Sequence, residues 1–118
     1  MRPHLLAWQW SDYAVKHRSR ANLLIHIAAV PLFQIDSLLV VWGVLGFAAP
    51  VAAVGAACVL ASVALQGRGH RLEAEAPTPF DGAGDFVARL VAEQWITFPR
   101  FVLTGGWFRN LTAFLREP

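Results

Sequence analysis

The most restrictive feature of this sequence is a long stretch without charge, because no Asp, Glu, Lys or Arg occurs at positions 38–65. As a helix, this stretch would measure roughly 42 Å at about 1.5 Å per residue, which exceeds the ~30 Å hydrocarbon core of a bilayer. Pro50 interrupts the run, and residues 23–35 upstream are also nearly all apolar. We therefore predict a hairpin of two transmembrane helices, about residues 22–47 and 51–66, joined by a turn at residues 48–50.

The overall composition also favours a membrane protein. The chain has 118 residues, of which 56% are hydrophobic and 15% are charged, whereas soluble domains average roughly 25% charged residues. This length predicts a single domain covering residues 1–118. One cysteine excludes an internal disulfide framework and a zinc site built from several thiolates of one chain. The alternative is a hairpin buried in a soluble bundle, but uncharged runs of this length usually span membranes.

Basic residues stand at both open ends of the predicted hairpin and are absent from its turn. Arg18 and Arg20 precede the first helix, and Arg68 and Arg71 follow the second. Because cytoplasmic flanks of membrane helices collect arginine and lysine, both ends are expected on the cytoplasmic side. We predict no nucleic-acid partner, since the basic patches are small and the second one lies beside acidic residues.

Three further segments have apolar residues at helical spacing. They are residues 5–16, residues 85–98 and a segment that begins at Trp107. Tryptophan favours the headgroup level of a bilayer, and amphipathic helices can lie in that layer. The predicted fold class is therefore all-α: a small polytopic membrane helical bundle with a central transmembrane hairpin and amphipathic flanking helices.

The segment at residues 85–98 carries its charges on one side of a helical wheel. Asp85, Arg89 and Glu93 lie apart from the apolar positions, so we expect them to face water or lipid headgroups. Pro99 is expected to end or kink this helix. Residues 76–84, which are rich in proline and glycine, are predicted to form a loop.

The predicted hairpin brings histidines to the same end of the molecule. His26 and His70 lie at nearly equal helical lengths from Ala49, roughly 35 Å and 32 Å. A chain reversal at residues 18–21, with Ser19 or Asn22 as a helix cap, would return His17 to the same place. The three histidines are therefore predicted to meet at the cytoplasmic end.

Imidazoles with carboxylates and no thiolate suit non-haem iron or another borderline divalent metal. The amides of Asn22 and Gln66 each lie four residues before a histidine and share its helix face, so we expect them to orient the rings. Two alternatives remain open. His26 and His70 could ligate haem between facing helices, or the histidines could simply form hydrogen bonds between helices in a non-enzymatic protein.

The polar residues around these histidines occur in two blocks. The first block consists of Tyr13, His17, Asn22, His26 and Pro31, and the second of Gln66, Gly69, His70, Glu73 and Pro77. Their spacing resembles the pattern of the 2-hydroxy-palmitic acid dioxygenase-like family of small polytopic membrane proteins.

The resemblance implies an Fe(II)-dependent dioxygenase that acts on 2-hydroxy fatty acids and shortens them by one carbon in α-oxidation. It implies iron ligation by His17, His26 and His70, with Glu73 or Glu75 as further ligands. The substrate carboxylate would bind a basic side chain, and the acyl chain would lie in the bilayer or between the helices. The arginines expected in this role are Arg20, Arg68 and Arg71. O2 is the expected cosubstrate, and the chain could also assemble as a homo-oligomer.

Overall fold

The computed structural model describes residues 2–116, and every regular element in this range is helical, which confirms the all-α prediction. A π-helical segment, Glu93–Thr97, joins the fourth α-helix to the fifth, and a 3-10 turn, Ala113–Leu115, follows the sixth. The six α-helices are α1 (Leu5–Ser11), α2 (Arg20–Leu45), α3 (Ala49–His70), α4 (Ala83–Ala92), α5 (Phe98–Leu103) and α6 (Gly106–Leu111).

Helices α2 and α3 form the predicted hairpin and share the most extensive helix–helix interface. The turn lies at residues 46–48, slightly earlier than predicted, because Pro50 belongs to the first turn of α3, where a proline needs no N–H partner. A Cβ on Gly43 would lie 2.5 Å from the backbone nitrogen of Ala52. Glycine therefore allows the two helices to approach closely beside the turn.

The second helix is longer than predicted, since α3 continues through both of its late glycines to His70. A Cβ on Gly69 would collide with the side-chain oxygen of Asn22. The glycine at this position lets the end of α3 pack directly on the start of α2. As a result, His70 remains on the helix instead of entering the following loop.

Both hairpin helices are long and apolar enough to cross a membrane, by length and composition. Only 28% and 17% of their most apolar 18-residue windows are buried within the chain, whereas the core helix of a soluble protein is mostly covered. Large apolar side chains therefore form a continuous outer surface. Among the most exposed are Leu38, Val41, Trp42, Val44, Leu45, Phe47, Val54 and Leu60.

The remaining helices contribute to a small core at the open end of the hairpin. This core consists of Tyr13, Leu23, Val30, Phe98 and Phe101, each no more than 4% exposed. The indole nitrogen of Trp107 on α6 donates a 2.8 Å hydrogen bond to the carbonyl of Leu23 on α2. Helix α6 is thus attached to α2, the helix that carries His26.

Two flanking segments differ from the sequence expectation. Helix α1 ends at Ser11, and residues 12–16 form turns that lead back towards α2. Pro99 does not end the helical path, because it occupies the first turn of α5, directly after the π-helical segment.

The polar side of α4 faces inwards, so the expectation that it faces water or headgroups is wrong. Asp85 and Arg89 are each 8% exposed, whereas Val87 is 55% and Val91 is 47% exposed. The helical wheel identified the polar and apolar sides of α4 but not which side is covered by the rest of the protein. Asp85 and Arg89 are covered by other parts of the chain, whereas the side of α4 that carries Val87 and Val91 is exposed.

Candidate metal centre

Four side chains that can ligate a metal meet at the open end of the hairpin. They are His17, His26, His70 and Glu93, and one ligand atom from each lies within 4.8 Å of the others. The ring centroids of the three histidines are 4.9–5.0 Å apart, in edge-to-face arrangements. The predicted convergence of the histidines is therefore found in the fold.

The histidines present unpaired nitrogens to this cluster. Nε2 of His17, Nε2 of His26 and Nδ1 of His70 are buried without a hydrogen-bond partner among residues 2–116. Buried polar atoms are normally hydrogen-bonded, so three unpaired nitrogens at one point require an explanation. A divalent cation bound by the three lone pairs would satisfy them all, and imidazole and carboxylate ligands suit non-haem iron among other borderline divalent metals.

Backbone carbonyls orient two of the rings. Nδ1 of His17 lies 2.8 Å from the carbonyl oxygen of Tyr13, and Nδ1 of His26 lies 3.1 Å from that of Asn22. A carbonyl only accepts, so each Nδ1 carries the hydrogen and donates it. The lone pair of each ring is consequently on Nε2, the atom that faces the cluster, as is usual for ligating histidines.

The turns after α1 position His17. The amide of Asn110 on α6 donates to the carbonyls of Ala14 and His17, at 2.9 and 2.8 Å. The ring of Tyr13 stacks on that of His17, with centroids 3.8 Å apart and planes 19° apart. Backbone and ring are therefore both held, although His17 lies outside any helix.

The fourth member of the cluster, Glu93, begins the π-helical segment. Its side chain is 14% exposed, and Oε2 lies 3.4 Å from Nε2 of His17 and 3.8 Å from Nε2 of His26. The hydroxyl of Tyr13 donates a 2.7 Å hydrogen bond to the same oxygen. π-Helical turns occur often at functional sites, and this one holds the carboxylate against the histidines.

The electrostatics of the site keep Glu93 ionised and Tyr13 protonated. Burial by itself raises the pKa of Glu93, but the neighbouring imidazoles of His17, His26 and His70 outweigh burial and lower the pKa to about 2. Burial, together with the charge of Glu93, raises the pKa of Tyr13 well above its usual range. The phenol therefore acts as a hydrogen-bond donor to an anionic carboxylate.

The carboxylate in the cluster is Glu93, and neither Glu73 nor Glu75 belongs to the group of four. Glu73 accepts hydrogen bonds from the backbone N–H groups of Arg18 and Ser19 and from the side-chain amide of Asn22, at 2.6–3.1 Å. It is thus occupied at the start of α2, where free N–H groups and the helix dipole favour an anion. Glu75 is exposed.

The side-chain amides of Asn22 and Gln66 do not orient the histidine rings, although the sequence had led us to expect this. The backbone carbonyl of Asn22 accepts from His26, while its side chain is directed to Glu73. Gln66 pairs with Gln94 through two reciprocal amide hydrogen bonds of 2.8 and 2.7 Å and also donates to Ser62. Gln66 therefore connects α3 to the π-helical segment next to Glu93.

A cavity of about 480 Å³ adjoins the cluster. His17, His70 and Glu93 form part of its wall, together with apolar side chains of α1, α3 and α4. Of the three arginines expected to bind substrate, only Arg71 contributes to this wall. Arg20 instead lies over the ring of Phe114, and Arg68 is exposed. Lys16, which was not predicted, lines the cavity.

Sequence reasoning missed Glu93 because it assigned the polar side of the helix to the outside. Asp85, Arg89 and Glu93 are four residues apart, and this spacing does predict that they share a face. The burial of that face depends on helices that are distant in sequence. No protein family, curated protein or solved structure matches this chain in comparisons of its sequence and fold.

Proposed function

We propose that the chain is an integral membrane Fe(II)-dependent dioxygenase that shortens 2-hydroxy fatty acids by one carbon. The observation that carries this proposal is the group of three unpaired imidazole nitrogens and one carboxylate beside a largely apolar cavity. Histidine and carboxylate ligands are typical of non-haem iron oxygenases. The resemblance in the spacing of Tyr13, His17, Asn22 and His26 supplies the substrate class.

In this proposal, His17, His26, His70 and Glu93 hold the metal. When bound, Fe(II) would supply the one-electron chemistry that lets O2 react with a closed-shell substrate, while the 2-hydroxy acid itself provides the four electrons that reduce O2. The protein orients two imidazoles through backbone carbonyls and the carboxylate through Tyr13. Such outer contacts tune metal affinity in known sites.

The cavity suits an amphiphilic acid. Lys16 and Arg71 are basic residues of its wall, and because Lys16 is paired with Asp12 at 3.1 Å, Arg71 is the side chain proposed to bind a carboxylate. Other parts of the wall come from apolar side chains such as Val63, Phe86 and Leu90. A long acyl chain gains about 0.8 kcal/mol for each methylene it buries. The basic and apolar parts of the cavity wall together therefore favour a fatty acid over a small polar acid.

A bilayer is the proposed partner of the outer surface. The exposed apolar side chains of α2 and α3 and the outward-facing valines of α4 support this placement. Arginines at the open end support a cytoplasmic position for the site and for both hairpin ends. In this arrangement, a fatty acid dissolved in the membrane reaches the cavity without crossing water.

The haem alternative finds less support. His26 and His70 face each other, but His17 and Glu93 place ligand atoms within 4.8 Å of both. A porphyrin between the rings of His26 and His70 would have to displace the side chains of His17 and Glu93. The arrangement is better suited to a single small cation.

The test begins with protein purified without oxygen in detergent, whose metal content and optical spectrum are measured. We expect about one iron per chain, no Soret band, and consumption of one O2 per 2-hydroxyhexadecanoate shortened. Glu93→Gln should lower iron content and activity, whereas Glu75→Gln, at an exposed carboxylate, should change neither. A Soret band would favour haem. Absence of any metal after reconstitution with Fe(II) would overturn the proposal in favour of a non-enzymatic membrane protein.

A further inference from the structure

The cavity beside the metal centre extends along α3 in the direction of the hairpin turn. His70 is in its wall at the end of α3, and Val63 is in its wall two turns earlier. At about 1.5 Å per residue, these two positions are roughly 10 Å apart along the helix axis. Phe86 and Leu90 of α4 line the same cavity. The cavity is therefore long enough to hold part of a chain as well as a headgroup.

Gly67 lies between Val63 and His70 on this wall. A Cβ built on it would meet no heavy atom within 4 Å, in contrast to those on Gly43, Gly55 and Gly69, which face the close contact between α2 and α3. Its backbone is helical and does not adopt a positive φ. Neither packing nor backbone conformation requires a glycine here, and glycine is unfavourable inside a helix.

We propose that Gly67 is a specificity-determining residue whose missing side chain leaves a passage for the acyl chain of the substrate. The metal centre lies beyond one end of this passage, and Val63 lines it at the other. Gly67 is exposed and lines the cavity, so a larger side chain at this position would take up space at the cavity wall. This inference rests on the proposed function for the identity of the acyl chain. It goes further by assigning the path of that acyl chain through the protein.

The surroundings of Gly67 favour an alkyl chain as occupant. Polar residues also line the cavity: Lys16 lies in the turns after α1 and Arg71 follows α3, while Gln66 on α3 pairs with Gln94 and Arg89 on α4 donates to the carbonyls of Thr78 and Pro79. The apolar part of the wall includes Val63 on α3 and Phe86 and Leu90 on α4. A ligand that binds with its carboxylate near the metal would therefore direct its apolar end past Gly67.

Crosslinking in phosphatidylcholine nanodiscs tests this path without relying on turnover. The probe is 2-hydroxyhexadecanoate with a diazirine in the middle of its chain, and excess unlabelled acid serves as competitor. In the parent protein, we expect competed crosslinks in residues 63–67 and 86–90. Gly67→Leu should reduce them about tenfold, which corresponds to the loss of roughly two buried methylenes. Gly67→Ala should largely retain them.

The matched control is Gly84→Leu. A Cβ on Gly84 also meets no atom within 4 Å, and this exposed glycine of α4 lies outside the cavity wall. The Gly84→Leu variant should leave crosslinking unchanged. Iron content, measured on every variant, reports whether the histidine cluster has formed, so a folding defect in Gly67→Leu is distinguished from a blocked passage. Gly67→Phe provides a second obstruction if the leucine variant fails this check.

The outcomes separate the two proposals. Unchanged crosslinking in a Gly67→Leu protein that holds iron would overturn the passage, even if O2 consumption stands. Parent protein without competed crosslinks in residues 63–67 and 86–90 would also overturn it. Competed crosslinks that are lost in Gly67→Leu, in a protein that consumes no O2, would support an acyl passage and refute the dioxygenase.

Discussion

The hydroxyl of Tyr13 donates a 2.7 Å hydrogen bond to Oε2 of Glu93, although the two residues are 80 positions apart in sequence. Tyr13 also stacks on His17, so one side chain contacts two members of the candidate metal site. The segment before the hairpin and the segment after it are thus connected at the site. This contact is central to the arrangement that we propose.

We predict that Tyr13→Phe lowers metal affinity by about tenfold or more, in the range found when contacts to a ligand are removed. Phenylalanine keeps the stacking on His17 but cannot donate to Glu93. Affinity is measured by competition with a chelator of known strength. Equal affinity in the variant and the parent would show that the hydrogen bond does not help to position the carboxylate.

Removal of the Glu73 carboxylate should affect stability more than metal binding. Glu73→Gln weakens the bonds from two backbone N–H groups at the start of α2 and from the amide of Asn22. We expect a loss of about 0.5–2 kcal/mol in the free energy of unfolding, the usual range for a lost helix cap, with iron content unchanged at saturating Fe(II). Loss of the iron at full stability would instead make Glu73 a ligand.

The amide pair of Gln66 and Gln94 should behave as a coupled unit. Gln94→Leu leaves the buried amide of Gln66 without its reciprocal partner, which we expect to cost about 1–3 kcal/mol of stability. Adding Gln66→Leu should restore part of that loss, because the pair is then replaced by apolar groups. A double-mutant cycle of unfolding free energies measures the coupling, and additive losses would contradict it.

In the metal-free protein, Glu93 should contribute stability that is lost in acid. Its ordinary pKa is 4.5 and its folded pKa is about 2. A carboxyl with a lower pKa in the folded state stabilises the fold above its unfolded pKa and loses this effect as the pH falls through the folded one. The stability difference between the parent and Glu93→Gln should therefore shrink between about pH 4.5 and about pH 2.

Thermal unfolding across this pH range checks the prediction. Glu75→Gln is the control, since its carboxylate is exposed and should produce no comparable change. A stability difference between the parent and Glu93→Gln that stays constant down to the most acidic point would contradict the lowered pKa.

Arg89 should hold the loop at residues 76–82 against α4. Its guanidinium donates to the carbonyls of Thr78 and Pro79 at 2.8 and 3.2 Å, and it lies 4.1 Å from the ring of Phe80. We expect Arg89→Gln to expose the loop to proteolysis, because lost loop contacts permit local opening. Cleavage mapped to residues 76–82 would rise, and an unchanged cleavage rate would contradict this role.

The hairpin and the meeting of two histidines were available from the sequence. An uncharged run with Pro50 near its middle predicts two antiparallel helices, and equal helix lengths then place His26 and His70 at one end. The return of His17 was also predicted, through a chain reversal at residues 18–21 with Ser19 or Asn22 as the cap; in the structure the turns lie earlier, at residues 12–16, and Ser19 caps α2. These inferences depend only on local periodicity and on the fixed rise of an α-helix.

The identity of the carboxylate was decided by the tertiary structure. Nothing in the local sequence pattern distinguishes Glu93 from Glu73. Glu73 was expected as a ligand because it is close to His70 in sequence, but the carboxylate in the group of four is that of Glu93. A helical wheel gives the polar side of α4 but not its direction, since that depends on whether the surroundings are water or other helices. The hairpin and the convergence of its histidines follow from local patterns and from the fixed rise of an α-helix. The tertiary structure decided which carboxylate joins them, because long-range packing turns the polar face of α4 inwards.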